Sequence, residues 1–167
     1  MLTRLHDGTR ILIRPIRPAD RAMLAAGHER LSPQTQHRRY LAAKPRLSSA
    51  ELRYLTEVDG DDHVAYVAVL TDQPERLVAV GRYVRRADDP ATAEVAITVG
   101  DELQGKGLGT RLGLLLADHA RERGVKRFTA TMLADNLPAQ RLFTRLLWRL
   151  RTHSGAGVSE LVGELAA

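Results

Sequence analysis

The alternation of apolar and polar positions changes period several times along the chain, and each change predicts an element. "TRILIRPIRP" (9–18) alternates apolar with basic residues and reads as a strand closed by proline. In "PADRAMLAAGHERLSPQ" the apolar residues take helical spacing from near Asp20, and Ser32-Pro33 either stops that helix or starts another. "LSSAELRYLTEVDG" predicts a second helix, with Ser48 or Ser49 as cap ahead of Glu51 and Gly60 at its end. Leu52, Leu55 and Val58 share one face of it. The texture then becomes that of strands. "HVAYVAVLT" (63–71), "RLVAVGRYVRR" (76–86) and "ATAEVAITVG" (91–100) are separated by the turn-forming "DQPE" and "ADDP".

The second half mixes the two periods. A helix is expected over 110–124 with Gly124 as its stop, a strand over 125–133, and a helix over 136–148 capped by Asn136. Pro138 falls in the first turn of that last helix, where proline is tolerated. "WRLRTHS" and "VSELVGEL" predict a final hairpin around "GAG". The order β, α, α, β, β, β, α, β, α, β, β predicts an α+β fold whose mixed, mostly antiparallel sheet has flanking helices. Strand 91–100 crossing through a helix to strand 125–133 supplies a parallel pair. No repeat, linker or low-complexity tract interrupts residues 1–167, so a single domain is expected.

Composition narrows the function classes. The chain has no cysteine, which excludes disulfides, thiolate metal sites and a cysteine nucleophile. The six histidines show no metal-ligand spacing, so no metal is expected. No apolar run approaches the length of a membrane span, and the start lacks a signal-peptide core, which makes the cytoplasm the expected location. The net charge of +5 is uneven: residues 1–60 carry eleven basic against six acidic side chains, and residues 61–100 four against seven. An acidic substrate, a phosphate-bearing cofactor or nucleic acid could exploit the excess. Four tyrosines, two phenylalanines and one tryptophan leave little for base stacking, and no nucleic-acid fingerprint is present.

One stretch carries more specific chemistry. "LQGKGLGT" (103–110) sets three glycines at alternate positions between a strand and a helix. Glycine allows positive φ and close approach of backbone to a ligand, and the first amides of a helix are unpaired at the positive end of its dipole. That combination binds phosphate, although a strand-to-helix turn also uses glycine. The stretch fails as a nucleotide-triphosphatase loop, because Gly107 follows Lys106 where a hydroxyl is required. It fails as a dinucleotide fingerprint, because Thr110 occupies the third glycine position. It meets Q/R-x-x-G-x-G/A in full, through Gln104, Gly107 and Gly109.

With that pattern in a strand–loop–helix context, the chain resembles the GCN5-related N-acetyltransferases (GNAT). "IRPIRPADRAMLAAGHERLSPQTQHRRY", "LTEVDGDDHVAYVAV" and "AEVAITVGDELQGKGLGTRL" are similar to the branch containing the bacterial protein lysine acetyltransferases, and "LADNLPAQRLFTRLLW" to the family's later N-x-x-A helix. The resemblance implies a GNAT-like domain with a splayed parallel strand pair and acetyl-CoA as cosubstrate. It implies that backbone amides of Gln104, Gly105, Lys106, Gly107, Leu108, Gly109 and Thr110 surround the pyrophosphate, and that main-chain groups of Thr98 and Val99 hold the pantetheine arm as a pseudo-strand. Lys106 and Arg111 either add attraction or point into water. Asn136 caps its helix, with a cofactor contact as a family-based second role.

Acyl transfer to an amine needs a base, because a lysine amine of pKa about 10.4 arrives protonated. Glu94, in "AEVAITV" with no basic residue within four positions, is the candidate, and the resemblance places the family's catalytic glutamate there. The acid is missing: Phe143 stands where many relatives carry tyrosine, and core packing is expected for Tyr66 and Tyr83. Leu147-Trp148 replaces the family's usual Gly-Phe, and Trp148 either closes the core or forms a dimer contact. The expected activity is acetyl transfer to a protein lysine by a monomer or homodimer. A small-molecule amine is the alternative acceptor, and a non-catalytic acyl-CoA sensor the alternative class.

Overall fold

The chain is described here by a computed structural model, over residues 1–166. Its strands are β1 (Leu2–Arg4), β2 (Arg10–Pro15), β3 (His63–Leu70), β4 (Leu77–Arg85), β5 (Thr92–Val99), β6 (Arg127–Leu133), β7 (Leu147–Gly155) and β8 (Val158–Leu165). Its helices are α1 (Arg21–Glu29), α2 (Pro33–Tyr40), α3 (Ser49–Thr56), α4 (Leu108–Glu122) and α5 (Leu137–Leu146). The strands form one sheet in the order β1-β2-β3-β4-β5-β6-β8-β7. Every pairing is antiparallel except β5 with β6, as the crossover through α4 requires.

The two central strands β3 and β4 are apolar on both faces because both faces are covered. On one face, Ala65, Val67 and Val69 pack with Leu24 of α1 and Leu55 of α3. On the other, Val64, Tyr83, Ala93 and Val95 pack with Leu116, Ala117 and Ala120 of α4 and with Phe143 and Leu146 of α5. Asp20 fixes the turn from β2 into α1: the Arg14 guanidinium donates to both carboxylate oxygens at 2.7 Å, and the Arg17 amide adds a third bond at 2.7 Å. These bonds hold the buried carboxyl below its ordinary range, Arg14 being the main cause.

The α+β fold and the mixed sheet agree with the expectation from sequence. Two elements go beyond it. β1 is only three residues long and carries no periodicity to read. Ser32-Pro33 starts a helix, with the Ser32 hydroxyl accepting from the Thr35 amide at 3.2 Å. The cap of α3 is Ser48, not Ser49. The helix expected over 136–148 ends at Leu146, because Leu147 takes extended backbone and enters β7 directly. β7 then carries an irregularity, a register shift between Trp148 and Arg151 with Arg149 at φ +48°. Trp148 is 67% exposed on this edge strand and does not close the core.

Candidate active site

The parallel seam is short. β5 pairs with β6 only at Thr92–Arg127, Ala93–Phe128 and Glu94–Thr129. Beyond Glu94, β5 stays paired with β4 as far as Val99, and β6 stays paired with β8 as far as Leu133. The two strands therefore diverge from an apex at Glu94, leaving the β6-facing edge of β5 without a strand partner. From Glu94 to Gly100 is about 20 Å at roughly 3.3 Å per residue. The cleft thus has the glutamate at its apex and the glycine loop at its mouth.

Side chains alternate along β5, so Ala93 and Val95 lie under α4 while Glu94, Ala96 and Thr98 face the side of α1 and α3. Glu94 is exposed there. Its neighbours across the sheet are Val84 and Thr129, neither charged.

The loop adopts the conformation its glycines permit. A 3-10 turn over Asp101–Leu103 leads to Gly105 at φ +74° and Gly107 at φ +89°. α4 opens with no side-chain cap, and its first internal bond runs from the Arg111 amide to the Gly107 carbonyl. Among the described residues, the amides from Gly105 to Thr110 have no acceptor. The Gln104 amide, expected among them, instead donates to the Asp101 carbonyl at 3.4 Å, and its exposed side chain donates to the Val99 carbonyl at 3.0 Å and reaches Thr35 Oγ1 at 3.4 Å. Lys106 does not stand free: it pairs with Asp7 at 2.9 Å and holds that carboxyl well below its usual range. Arg111 donates to Thr3 Oγ1 and to the Arg4 carbonyl. Both cations thus fasten the N-terminal hairpin to the loop, and the His6 ring lies against Gly107.

A second set of bonds ties α2 to the same loop. Asp101 accepts from the Ser32 amide at 3.0 Å, and from the Ser32 and Thr35 hydroxyls at 2.8 Å each. Burial raises the Asp101 pKa, but these bonds outweigh it and hold the carboxyl below its ordinary range. This joint was not foreseen from sequence, although Ser32-Pro-Gln-Thr35 is a recognisable cap.

The remaining candidates separate. Asn136 caps α5, accepting from the Ala139 amide at 3.3 Å. Phe143 is 4% exposed in the core between α5 and the sheet. Tyr83 is fully buried on the α4 side, where its hydroxyl meets His119 Nδ1 at 3.0 Å and burial pushes its pKa up to about 12. Tyr66 packs on that side too. No tyrosine of β3 or β4 therefore shares the face of Glu94. Sequence reading also missed Arg82, a buried cation in the middle of β4 on the Glu94 side of the sheet. Its signal was a charge in the interior of a strand whose other arginine, Arg85, stands at the end.

The chain is similar to known proteins in sequence and in fold. The model of the acetyltransferase (GNAT) domain matches residues 10–146. Acetyltransferase Pat of Mycolicibacterium smegmatis is 36% identical over 143 residues, 85% of this chain and 42% of its own. The chain thus spans less than half the length of that relative. An acetyltransferase of Pseudomonas aeruginosa is 35% identical over 133 residues, 79% of this chain and 71% of its own. The crystal structure of the GNAT domain of S. lividans PAT superposes with a TM-score of 0.88 at 31% identity, covering 99% of this chain and 96% of that one.

Proposed function

The chain belongs to the acetyltransferase (GNAT) family, and from that premise we propose that it transfers an acetyl group from acetyl-CoA to a primary amine, the side chain of a protein lysine. The observation that carries the reading is the pairing of six unpartnered loop amides at one end of the cleft with an exposed carboxylate at the other. The amides of Gly105 to Thr110 hold the pyrophosphate at the positive end of α4, with Gln104 fixing the loop beneath them. The open edge of β5 at Thr98 and Val99 receives the pantetheine arm through main-chain groups; the Val99 carbonyl exchanges its bond from Gln104 to do so. Asn136 keeps the start of α5 in place beside the cleft.

The thioester supplies an activated acyl carbon. Glu94 accepts a proton from the incoming ammonium, directly or through water, and frees the amine to form the N–C bond as the C–S bond breaks. The leaving thiolate takes its proton from water or from the acetylated amine, since Phe143 has no hydroxyl and Tyr83 lies on the other side of the sheet. The lysine branch is supported by the similarity to the two PAT proteins and by the basic excess of residues 1–60, which favours an acidic protein surface. Among the described residues no helix is long and apolar enough to cross a membrane, and we place the reaction in the cytoplasm.

Mass spectrometry of lysate incubated with isotopically labelled acetyl-CoA tests the proposal. Labelled protein lysines are expected, and labelled small amines alone would replace the acceptor. Glu94→Gln is expected to lower kcat/KM at neutral pH by about 10²–10⁴-fold, with little change in CoA affinity. That defect should shrink toward the amine's own pKa of about 10.4, where the acceptor needs no base. Unchanged activity of Glu94→Gln at pH 7 would remove Glu94 from the mechanism. CoA binding without transfer to any amine would leave a sensor.

A further inference from the structure

The face that presents Glu94 also holds a charge that no carboxylate among the described residues answers. Arg82, at the centre of β4, is 5% exposed. Its Nη1 donates to the Leu55 carbonyl at 3.0 Å and to His63 Nε2 at 2.9 Å, and its other N–H groups have no acceptor among the described residues. Both partners are neutral. His63 must accept that bond, and burial together with the neighbouring guanidinium pushes its pKa down to about 4. A buried guanidinium with only neutral partners is costly to the fold, which calls for an explanation outside the fold.

The surroundings add to the imbalance. Arg82, Arg39 and Thr98 line a cavity of ≈ 40 Å³ between α1, the end of α2 and the sheet. Arg39 stacks over the Tyr40 ring, 4.7 Å from its centroid, and not on a carboxylate. Its charge adds to burial in bringing the Arg82 pKa down to about 10. Thr98 Oγ1 is buried with no hydrogen-bond partner. The one carboxylate at the wall, Glu102, is bonded to Arg76 at 3.1 Å.

Register then sets this cavity beside the proposed base. Arg82 pairs with Ala96, so Glu94 and Thr98 are its two diagonal neighbours on the same face, each about 7–8 Å away. A ligand reaching both ends would carry an amine at Glu94 and an anionic group between Arg82 and Thr98. The space, room for roughly three waters, suits a carboxylate, whose two oxygens match the fork of a guanidinium.

We propose that this cavity is a carboxylate-binding subsite of the acceptor, in which Arg82, Arg39 and the Thr98 hydroxyl hold the carboxylate while the amine meets Glu94. The proposal rests on the acetyltransferase reading above. The carboxylate has two possible sources, an acidic side chain next to the acceptor lysine or the α-carboxylate of a free amino acid.

Two acceptor pairs distinguish them: a lysine peptide with Glu beside the acceptor against the same peptide with Gln, and free lysine against lysinamide. In at least one pair the carboxylate member should have a kcat/KM advantage of about tenfold or more, worth roughly 1.4 kcal/mol. That ratio should fall to within about twofold in Arg82→Lys and in Arg39→Gln; the latter sits at a half-buried position and serves if the core variant does not fold. An advantage in the peptide pair assigns the acidic neighbour, and one in the small pair the α-carboxylate. Equal rates in both wild-type pairs overturn the subsite and leave the transferase standing. If no amine is acetylated, the transferase reading falls, and the cavity is judged by titrating acetate against chloride while following the Arg82 Nε–H resonance. A saturable shift that Arg39→Gln weakens upholds the subsite; no saturable shift overturns it.

Discussion

Gly107 and Gly109 fill neighbouring places in the loop pattern for different physical reasons. At Gly107 the backbone is at φ +89°, which demands glycine, and a Cβ would also have to push aside the exposed His6 ring, 3.0 Å away at Nε2. At Gly109 a Cβ would meet Leu142 and Val99 at 3.6 and 3.7 Å, which is ordinary contact. Gly107→Val should weaken CoA binding by at least about tenfold in a calorimetric titration, whereas Gly109→Ala should bind within about threefold of wild type. Equal effects from both would mean that the loop is only a turn. The pattern was legible in the sequence because glycine spacing states a backbone requirement directly. The commitments of Lys106 to Asp7 and of Arg111 to Thr3 were not, because they depend on a hairpin a hundred residues away folding back onto the loop. Arg82 was hidden for a related reason: alternation tells which residues share a face, not whether a charge on that face finds a partner.

At the scale of elements, the packing of α4 on α5 depends on a missing side chain. A Cβ at Gly113 would run into Leu146 Cδ1 and sit 3.3 Å from its Cγ, and Leu146 is itself buried against the sheet. Gly113→Ala should therefore destabilise by about 1–3 kcal/mol despite its better helix propensity, as read from urea unfolding. Combining it with Leu146→Ala should be clearly non-additive, the second change making room for the first. A stabilised Gly113→Ala would show that the helices have space to separate. Most elements could be read from period and caps, α4 and β3 to β5 above all. α2 could not: "PQTQHRRY" has no apolar stripe, and it is held by Ser32, Thr35 and Asp101, not by burial of a face. β1 is too short to show a period, and the end of α5 was misplaced because an apolar run continues unbroken from helix into strand.

Across the whole molecule, several groups are held below their ordinary pKa and shape the response to acid, His63 and Asp20 among them. The His63 pKa of about 4 lies below the ordinary 6.5, so the unfolded chain takes up a proton before the folded one does. Its contribution to stability is complete above about pH 6.5 and is lost as the pH falls toward 4. Asp20 is also depressed, chiefly by Arg14, so its contribution persists until the pH drops below the usual carboxylate range of about 3.9. Urea midpoints should thus decline between pH 6.5 and 4.5, and His63→Gln, which keeps an acceptor for Arg82, should make that decline shallower, leaving the share of His119, which burial also holds below its ordinary value. A wild-type profile already flat there would contradict the burial of a neutral His63. The short seam between β5 and β6 has a consequence of another kind. The five strands on one side of it come from residues 2–99 and the three on the other from 127–165, so each group is one unbroken length of chain. Each can pair its own hairpins at low loop-closure cost, leaving the three residue pairs of the seam, α4 and the core they share on its face to join them. The cleft therefore also falls at the boundary between two contiguous lengths of chain, and a nascent chain would have its first five strands made before the rest.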